Sequence, residues 1–434
     1  MWKLSPVGVA LVGLLLGSIR LGTKPLSTDE AAALTIARQP LGDLLHHAIE
    51  DDPAQGGFLL LLKAMSSLGA SEWDVRMPSV VMAAVAAGLV VVIGTRLFDR
   101  VAGLVAGLAL ALNAGFVEIA QLARPYALGV FGVALATLAF VLAFERGSPG
   151  RWLAYSVVVV LLPLAHPLAA TVPLAHGAAF VAKNRGLHRL SALFIVPGAI
   201  AALALGWMAA DRLDAPDGSR GVTLDGPGAA LWQASGENPL LLLLAAAGIT
   251  ALLLPRAAGA NLWKAILVCA LLLMPFLATA LAAFVLPVYP EPALVMIAPG
   301  LALAAGAATS WVPRHDASVA AAAALLVFGG LLFVSYRKEP AEDWRAAANA
   351  IRIARRAGET IVVPERSLAA FRYYAGDVDT VLRARGDGAW VATVADSSKE
   401  AITSGRSVVR TPTYALRRQF RYGQRLRLQH WVRP

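Results

Sequence analysis

Two carboxylates next to a pair of hydroxyls are the first residues in this chain whose types suit chemistry. Ser27-Thr28-Asp29-Glu30 follows an apolar stretch and precedes a run with helical pattern, residues 31–38. A carboxylate at the edge of an apolar segment is partly desolvated, which suits it to act as a general base. The same residues also make a good helix start, because hydroxyls and acids satisfy the free N–H groups of the first turn. Both interpretations remain open for these four residues.

A second polar group combines acids with an amide. Asp52 and Gln55 lie just before Gly56-Gly57 and a short apolar run, residues 57–69. Asp-Pro and Gly-Gly sequences break regular structure, so a solvated turn explains this group equally well. The apolar run is too short to cross a bilayer and suits an interfacial or re-entrant helix.

Cations follow at two further positions. Arg76 stands at the end of an apolar stretch, where it either holds an anion or extends its side chain to the membrane surface. Arg124, two residues before Tyr126, has the geometry to bind a phosphate through two hydrogen bonds. Pairing of Arg124 with Glu118 is an equally weighted alternative.

Histidines and cysteine do not form a metal-binding pattern. His46-His47 lies near acids, but His166 and His176 lie in or near apolar stretches, and Cys269 is the only cysteine. The chain has no Walker loop, no Gly-rich dinucleotide fingerprint and no HExxH motif. We therefore predict no metal site and no cofactor, although the acids are compatible with a divalent ion.

The composition places these residues in a membrane protein. Of 434 residues, 58% are hydrophobic and only 15% are charged, and the mean hydropathy is +0.64, which excludes a set of soluble domains. The sequence predicts an all-α polytopic protein with about eleven transmembrane helices. The predicted spans are 4–21, 78–95, 101–117, 126–144, 152–165, 167–182, 190–209, 239–254, 263–285, 293–311 and 317–335. We assign residues 1–336, with a first outside loop at 22–77, to one domain.

The basic residues of the short loops predict the orientation. One set of alternate loops holds most of these cations, and the opposite set holds most of the acids. This places the N-terminus in the cytoplasm, the C-terminal segment outside, and the protein in an inner (plasma) membrane of bacterial type.

The last 98 residues, 337–434, are predicted to form a small extracytoplasmic α/β domain. They carry 19 basic and 10 acidic side chains, a net charge of 19 − 10 = +9, whereas residues 1–336 carry 19 and 18. Helices are predicted at 341–357 and 366–375, and strands at 360–363, 390–394 and 408–410. Because the excess charge lies outside the cytoplasm, it indicates anionic headgroups or glycans rather than nucleic acid as partners. The basic residues expected to face them are Arg417, Arg418, Arg421, Arg425 and Arg427.

The order of several short motifs resembles the GT-C superfamily of polytopic glycosyltransferases, in particular bacterial members of the family 39 type, similar to protein O-mannosyltransferases and aminoarabinose transferases. In that pattern an Asp-Glu pair follows the first span, and an Arg-x-Pro-Ser motif enters the second. An Arg-x-Tyr-Ala-Leu motif, a histidine, an acidic-Asp-Trp-Arg motif and a Tyr-Tyr pair come later. The matching residues are Asp29-Glu30, Asp52-Pro53, residues 58–62, Gly69, Arg76-Met77-Pro78-Ser79, Glu118, Arg124-Pro125-Tyr126-Ala127-Leu128, His166, Glu342-Asp343-Trp344-Arg345 and Tyr373-Tyr374.

Two positions depart from the family pattern. The usual His-Pro-Pro-x-Tyr of the first loop is Asp52-Pro53-Ala54-Gln55 here, so contacts with the acceptor are expected to differ. The outside loop before the tenth span usually has an Arg-Tyr pair, whereas this chain has Tyr289-Pro290-Glu291-Pro292. Glu291 in place of a cation removes a potential phosphate contact.

The resemblance implies inverting transfer of a sugar from a polyprenyl-phosphate carrier to an extracytoplasmic acceptor, which is a protein, a lipid or a cell-envelope glycan. Asp29 and Glu30 are then the predicted catalytic pair, with Asp29 as the base. The residues predicted to contact the donor phosphate are Arg124, Arg76 and Tyr126. The residues predicted to contact the acceptor or order the loop are Asp52, Gln55 and His166.

Two other functions remain open on the sequence. A GT-C homologue that has lost catalysis and serves as a binding partner is compatible with Glu291. A lipid or solute transporter would also have many spans, but such proteins tend to show internally similar halves with broken helices. No such symmetry is evident here, and the ionisable residues concentrate in the outside loops.

Overall fold

A computed structural model gives the architecture of the chain. It describes residues 5–433 except 53–54, 67–68, 70, 185–194, 197, 201, 204–205, 207–225, 284–294, 310–313, 377, 379, 381–383, 385–386, 396 and 410–413. The chain divides into two compact units. The helical unit comprises Met1–Ile19, Leu41–Leu61 and Arg76–Tyr336, and the sheet unit comprises Arg20–Pro40, Leu62–Val75 and Arg337–Pro434.

In its described part, the helical unit is built from apolar helices. Several begin at a side chain that caps the first turn, as Asp99 does by accepting hydrogen bonds from the N–H groups of Val101 and Ala102. The helices that lie wholly or partly in this unit are α1 Ser5–Ser18, α3 Leu41–His46, α4 Gly56–Ser66, α5 Glu72–Leu97, α6 Arg100–Ala111, α7 Ala114–Ala120, α8 Tyr126–Arg146, α9 Pro149–Ala165, α10 Val172–Asn184, α11 Gly226–Ala234, α12 Pro239–Leu253, α13 Pro255–Ala283, α14 Ala298–Ala308 and α15 Arg314–Ser335. A π-helical turn, His47–Asp51, follows α3.

Small residues let the helices of this unit approach closely. Helix α12 packs on α14 and α6 packs on α14. A side chain at Gly248 would collide with the backbone of Ala304, and one at Gly306 would collide with the backbone of Ala102. Membrane helices associate through this kind of close packing, because the surrounding lipid gives no hydrophobic drive for association.

The expected helical membrane architecture is confirmed, whereas the count of eleven spans stays a prediction. In the described part of the chain, Glu72–Leu97 and Tyr126–Glu145 are long and apolar enough to cross a membrane. A third candidate span is formed by α6 and α7 together, which are bent by 57° relative to each other. Asn113 lies at the bend and caps α7. Seven shorter apolar helices of 10–17 residues accompany them. The predicted break at His166-Pro167 is confirmed, since α9 ends there.

The described residues of the sheet unit form one four-stranded sheet and five helical segments, together with the end of α4 and the start of α5. The strands are β1 Thr360–Val362, β2 Gly388–Val394, β3 Ala415–Tyr422 and β4 Leu426–Val432, in the order β1-β2-β4-β3. β1 and β2 are parallel, and the other two pairs are antiparallel. The helical segments are α2 Thr28–Ala37, α16 Trp344–Ala354, the 3-10 turn Glu365–Ser367, α17 Leu368–Ala375 and α18 Ser398–Val409. Helix α17 packs on α2, so the segment after α1 contacts the C-terminal segment.

Two expectations for this unit were wrong, and one element was not predicted. The strand predicted at 408–410 is wrong for residues 408 and 409, which end α18, and residue 410 lies outside the described residues. The buried positions of α18, Ala401, Gly405 and Val409, recur every four residues. The basic segment contains a hairpin, β3–β4, that charge alone did not predict. Arg427 does not face headgroups or glycans. It is 6% exposed and donates through Nη1 to the carbonyl oxygen of Gln424 at 2.9 Å.

Candidate active site

The first predicted pair lies at the start of α2 in the sheet unit. Ser27 caps this helix, because its hydroxyl accepts a hydrogen bond from the N–H of Glu30. In return, Oε2 of Glu30 accepts from the N–H of Ser27 at 2.9 Å. Glu30 is 1% exposed and Asp29 is exposed. The helix-start interpretation therefore holds for Ser27 and Glu30, and Asp29 is the exposed carboxylate of the pair.

A buried carboxylate from the C-terminal segment holds the same helix start. Oε2 of Glu342 accepts hydrogen bonds from the N–H of Thr28 at 3.0 Å and from its hydroxyl at 2.6 Å. The same oxygen accepts from the indole N–H of Trp344 at 2.7 Å, and Trp344 is fully buried. Three donors on one buried oxygen fix the residue that precedes Asp29.

A second contact fixes the segment just before the cap. The hydroxyl of Tyr374 accepts from the N–H of Leu26 at 2.6 Å and donates to Oε1 of Glu72 at 3.0 Å. Burial raises the pKa of Tyr374, so the hydroxyl keeps the proton that it donates. Arg345 forms an ion pair with the same oxygen of Glu72. Glu72 was missed in the sequence, where only its place at a helix start distinguishes it.

The helical unit brings a second set of predicted residues together. The side chain of Gln55 donates through Nε2 to Oδ2 of Asp52 at 2.5 Å. Its Oε1 accepts from Nη1 of Arg124 at 3.2 Å. The other carboxylate oxygen of Asp52 is buried and has no hydrogen-bond partner within the described ranges. Asp52, Gln55 and Arg124 thus form one polar chain, which the solvated-turn interpretation did not predict.

Aromatic contacts extend this chain. The guanidinium carbon of Arg124 lies 5.8 Å from the ring centroid of Tyr126, within cation–π range. The rings of Tyr126 and His166 are 5.7 Å apart. Nδ1 of His166 accepts from the N–H of Leu168 at 3.2 Å, which orients the imidazole at the break between α9 and α10. Five of the eight predicted site residues therefore lie in one connected cluster of this unit.

The remaining predicted residues are placed as follows. Arg76 is 3% exposed near the start of α5, and its neighbour Ser79 donates to the carbonyl oxygen of Arg124 at 3.4 Å. Asp29 and Glu30 belong to the sheet unit. Tyr289 and Glu291 lie outside the described residues.

Metal ligands are not clustered in the parts of the chain that the structure describes, where no group of three His, Cys, Asp or Glu side chains could hold an ion. His46 and His47 each pair with an acid four residues along the chain, Glu50 at 3.4 Å and Asp51 at 2.8 Å.

The predicted site residues therefore offer two chemical groups. Asp29 supplies an exposed carboxylate at the start of α2, and Arg124 supplies a guanidinium within the polar chain.

Comparison with known proteins defines the class. Residues 57–208 match the family model described as dolichyl-phosphate-mannose-protein mannosyltransferase. The fold is similar to that of ArnT from Cupriavidus metallidurans in the apo state, with a TM-score of 0.62, 13% identity, and coverage of 98% of this chain and 97% of that one. The structure of ArnT bound to undecaprenyl phosphate gives a TM-score of 0.56 at 12% identity, with the same coverage.

A more distant similarity extends to the oligosaccharyltransferase of Archaeoglobus fulgidus tethered with an acceptor peptide. Its TM-score is 0.56 at 12% identity, with 86% of this chain and 63% of that chain covered. No curated protein sequence matches the chain. The family match and the shared fold confirm the resemblance to GT-C glycosyltransferases of the family 39 type. The chain is a membrane protein with a fold similar to that of ArnT.

Proposed function

We propose that the protein is an inverting glycosyltransferase that moves a sugar from a polyprenyl phosphate to an extracytoplasmic acceptor, which is a protein, a lipid or a cell-envelope glycan. Residues 1–336 would form the transmembrane catalytic domain, and residues 337–434 the small extracytoplasmic domain. The N-terminus would then lie in the cytoplasm of a cell with a bacterial-type inner membrane. The family match and the similarity to a protein bound to undecaprenyl phosphate support this class of donor.

The observation that carries the proposal is the chain from Asp52 through Gln55 to Arg124. The guanidinium of Arg124 donates to the amide oxygen of Gln55, and guanidinium–phosphate hydrogen bonds are among the strongest in proteins. The ring face of Tyr126 lies beside the guanidinium of Arg124 and limits its movement. Arg124, with Arg76 and Tyr126, would bind the donor phosphate and stabilise the negative charge that develops on it.

The chemistry requires one base and no covalent intermediate. Asp29 would remove the proton from the acceptor nucleophile as that atom forms a bond to the anomeric carbon. The bond from the anomeric carbon to the phosphate oxygen breaks, and its electron pair leaves with the polyprenyl phosphate. Attack opposite to the leaving group inverts the anomeric centre. Glu30 would act as a positioning residue, since its carboxylate is engaged in the helix cap.

Asp52, Gln55 and His166 would contact the acceptor or order the first loop. The buried Oδ1 of Asp52 has no protein donor among the described residues, and a buried carboxylate oxygen without a donor is costly. A hydroxyl of the bound substrate would satisfy it. The departure from the usual family motif at this turn fits a difference in the acceptor.

Donor binding tests this function directly. The affinity of purified full-length protein for undecaprenyl phosphate would be measured for wild type, Arg124→Gln and Arg100→Gln. Arg100 is an exposed arginine at the start of α6 and serves as the matched control. We expect Arg124→Gln to bind at least about tenfold more weakly, the equivalent of one charge-assisted hydrogen bond, and Arg100→Gln to bind like wild type. Equal affinity of all three proteins would remove Arg124 from the donor site.

A further inference from the structure

A cleft lies within the sheet unit, apart from the side chains assigned above to the base and the donor phosphate. Its volume is about 750 Å³, in the range of sites that hold a small organic ligand. Helix α16, helix α17 and the segment before α2 form its walls. The buried side chains of Ile351, Ile361 and Phe371 contribute apolar surface.

The cleft carries more positive than negative charge. Three arginines line it, Arg345, Arg352 and Arg355, against one acid, Asp343. Asp343 caps α16 by accepting from the N–H of Ala346 at 2.9 Å. With three cations and one anion, the formal charge of the lining is 3 − 1 = +2.

Among the described residues, two of these arginines have no carboxylate partner. Arg345 forms an ion pair with Glu72. Arg352 donates through Nη2 to the amide oxygen of Asn349 at 2.7 Å, and Arg355 donates through Nε to the carbonyl oxygen of Glu359 at 3.0 Å. Within the described ranges neither Arg352 nor Arg355 has a carboxylate within 4.0 Å. Their side chains are therefore held by neutral oxygen atoms, and their charge remains available to a ligand.

Neutral hydrogen-bonding groups and apolar surface accompany the charge. Asn349 and Tyr374 line the same cleft as Phe371. Sugars present hydroxyls at their edges and C–H groups on their faces, so a mixed lining of this kind suits a sugar ring. The two arginines then select a ring that bears a phosphate or a carboxylate.

We propose that this cleft binds an anionic saccharide, namely a phosphorylated or carboxylated sugar of the acceptor. The identity of the ligand as acceptor rests on the proposed function, whereas the anionic selectivity rests on the cleft alone. Thr23 and Pro25 line the cleft and belong to the segment that leads into Asp29. The cleft therefore lies beside the segment that leads to the proposed base.

Binding of a simple probe tests the assignment. Full-length protein would be titrated with glucose 6-phosphate, glucuronate, glucose and inorganic phosphate. Wild type would be compared with the double variant Arg352→Gln/Arg355→Gln. The matched control is Arg366→Gln/Arg406→Gln, which removes two exposed arginines of the same unit that do not line the cleft.

We expect wild type to bind one or both anionic sugars at least about tenfold more tightly than glucose and than inorganic phosphate. The cleft variant should lose at least about tenfold of this affinity, the equivalent of one charge-assisted hydrogen bond, and the control variant should keep it. A preference for the phosphate or the carboxylate identifies which anion the cleft selects.

Three results would overturn the proposal: no binding of either anionic sugar to wild type, equal loss in both double variants, or inorganic phosphate binding as tightly as the sugars. Undecaprenyl phosphate binding is measured on the same preparations and should not change in the cleft variant. If wild type binds the anionic sugar but not undecaprenyl phosphate, the proposed function fails and the cleft assignment stands.

Discussion

Glu342 and Thr28 are 314 residues apart in the sequence, and one carboxylate oxygen of Glu342 accepts hydrogen bonds from both the N–H and the hydroxyl of Thr28. Thr28 is the residue before Asp29. The C-terminal segment therefore fixes the position of the proposed base. This relationship gives the acidic residue of the Glu-Asp-Trp-Arg sequence a definite physical role, which is to hold the start of α2.

Removal of this carboxylate should loosen the helix start. In Glu342→Ala the N–H of Thr28 and the indole N–H of Trp344 lose their acceptor, whereas the hydroxyl of Thr28 can still donate to Oγ of Ser367. Each buried donor left without a partner costs about 1–3 kcal/mol. We expect faster hydrogen exchange of the amides of residues 28–30 and a lower rate of sugar transfer, with the affinity for undecaprenyl phosphate unchanged.

A matched control is Glu365→Ala, because Glu365 is exposed on a 3-10 turn of the same unit. This variant should exchange and react like wild type. If Glu342→Ala left the exchange of residues 28–30 unchanged, Glu342 would not hold the start of α2.

Two substitutions of Glu30 distinguish its role in capping α2 from a direct role in the reaction. In Glu30→Gln the amide oxygen still accepts from the N–H of Ser27, so we expect near-normal stability and transfer. In Glu30→Ala the reciprocal cap is lost, at a cost of about 1 kcal/mol. Thermal unfolding and transfer rates measured in parallel distinguish the two variants. Loss of transfer in Glu30→Gln with unchanged stability would show that the carboxylate itself takes part in the reaction.

The stability of the sheet unit should depend on pH through Glu359. Burial raises the pKa of this carboxyl, but hydrogen bonds from the N–H of Arg356, from Trp390 and from His430 outweigh burial and lower it. His430 Nε2 lies 2.7 Å from Oε1 of Glu359. A lowered pKa in the folded state means that the carboxylate stabilises the fold above its ordinary pKa, near 4.5, and that this contribution is lost as the pH falls below it.

Unfolding temperatures of wild type and Glu359→Gln measured between pH 6 and pH 3 test this dependence. Wild type should be more stable at pH 6, and the difference should shrink as the pH falls below about 4.5. A difference that stays constant over this range would show that the ionised carboxylate does not stabilise the fold.

Local sequence patterns predicted much of the architecture. The apolar stretches predicted the helical membrane protein, His166-Pro167 marked a true break, and β1 and β2 were placed within two residues. These features depend on hydrophobic periodicity and on residues such as proline that interrupt regular secondary structure. Both signals extend over only a few residues of sequence. The hairpin β3–β4 was missed because its first strand is an exposed edge rich in arginine, with little of the alternation that marks a half-buried strand.

The predicted site residues also divide into features that the local sequence encodes and contacts that it does not. Ser27-Thr28-Asp29-Glu30 contains its own cap, so the start of α2 could be read from four residues. The contacts of Glu342 and Tyr374 with this segment join residues more than 300 positions apart, and no local pattern encodes such a distance. The cleft was missed for a related reason, since its arginines look like ordinary surface cations until the fold supplies the apolar surface beside them.

The most direct test of the account is sugar transfer by Asp29→Asn. Purified full-length protein would receive its polyprenyl-phosphate sugar, identified by mass spectrometry of the copurified lipid, and release of polyprenyl phosphate would be measured. Asp43→Asn, which removes an exposed acid on α3, is the control. We predict that Asp29→Asn lowers transfer at least about 100-fold, the usual contribution of a general base, with undecaprenyl phosphate binding and the Asp43→Asn rate unchanged. Transfer by Asp29→Asn at the wild-type rate would contradict the account.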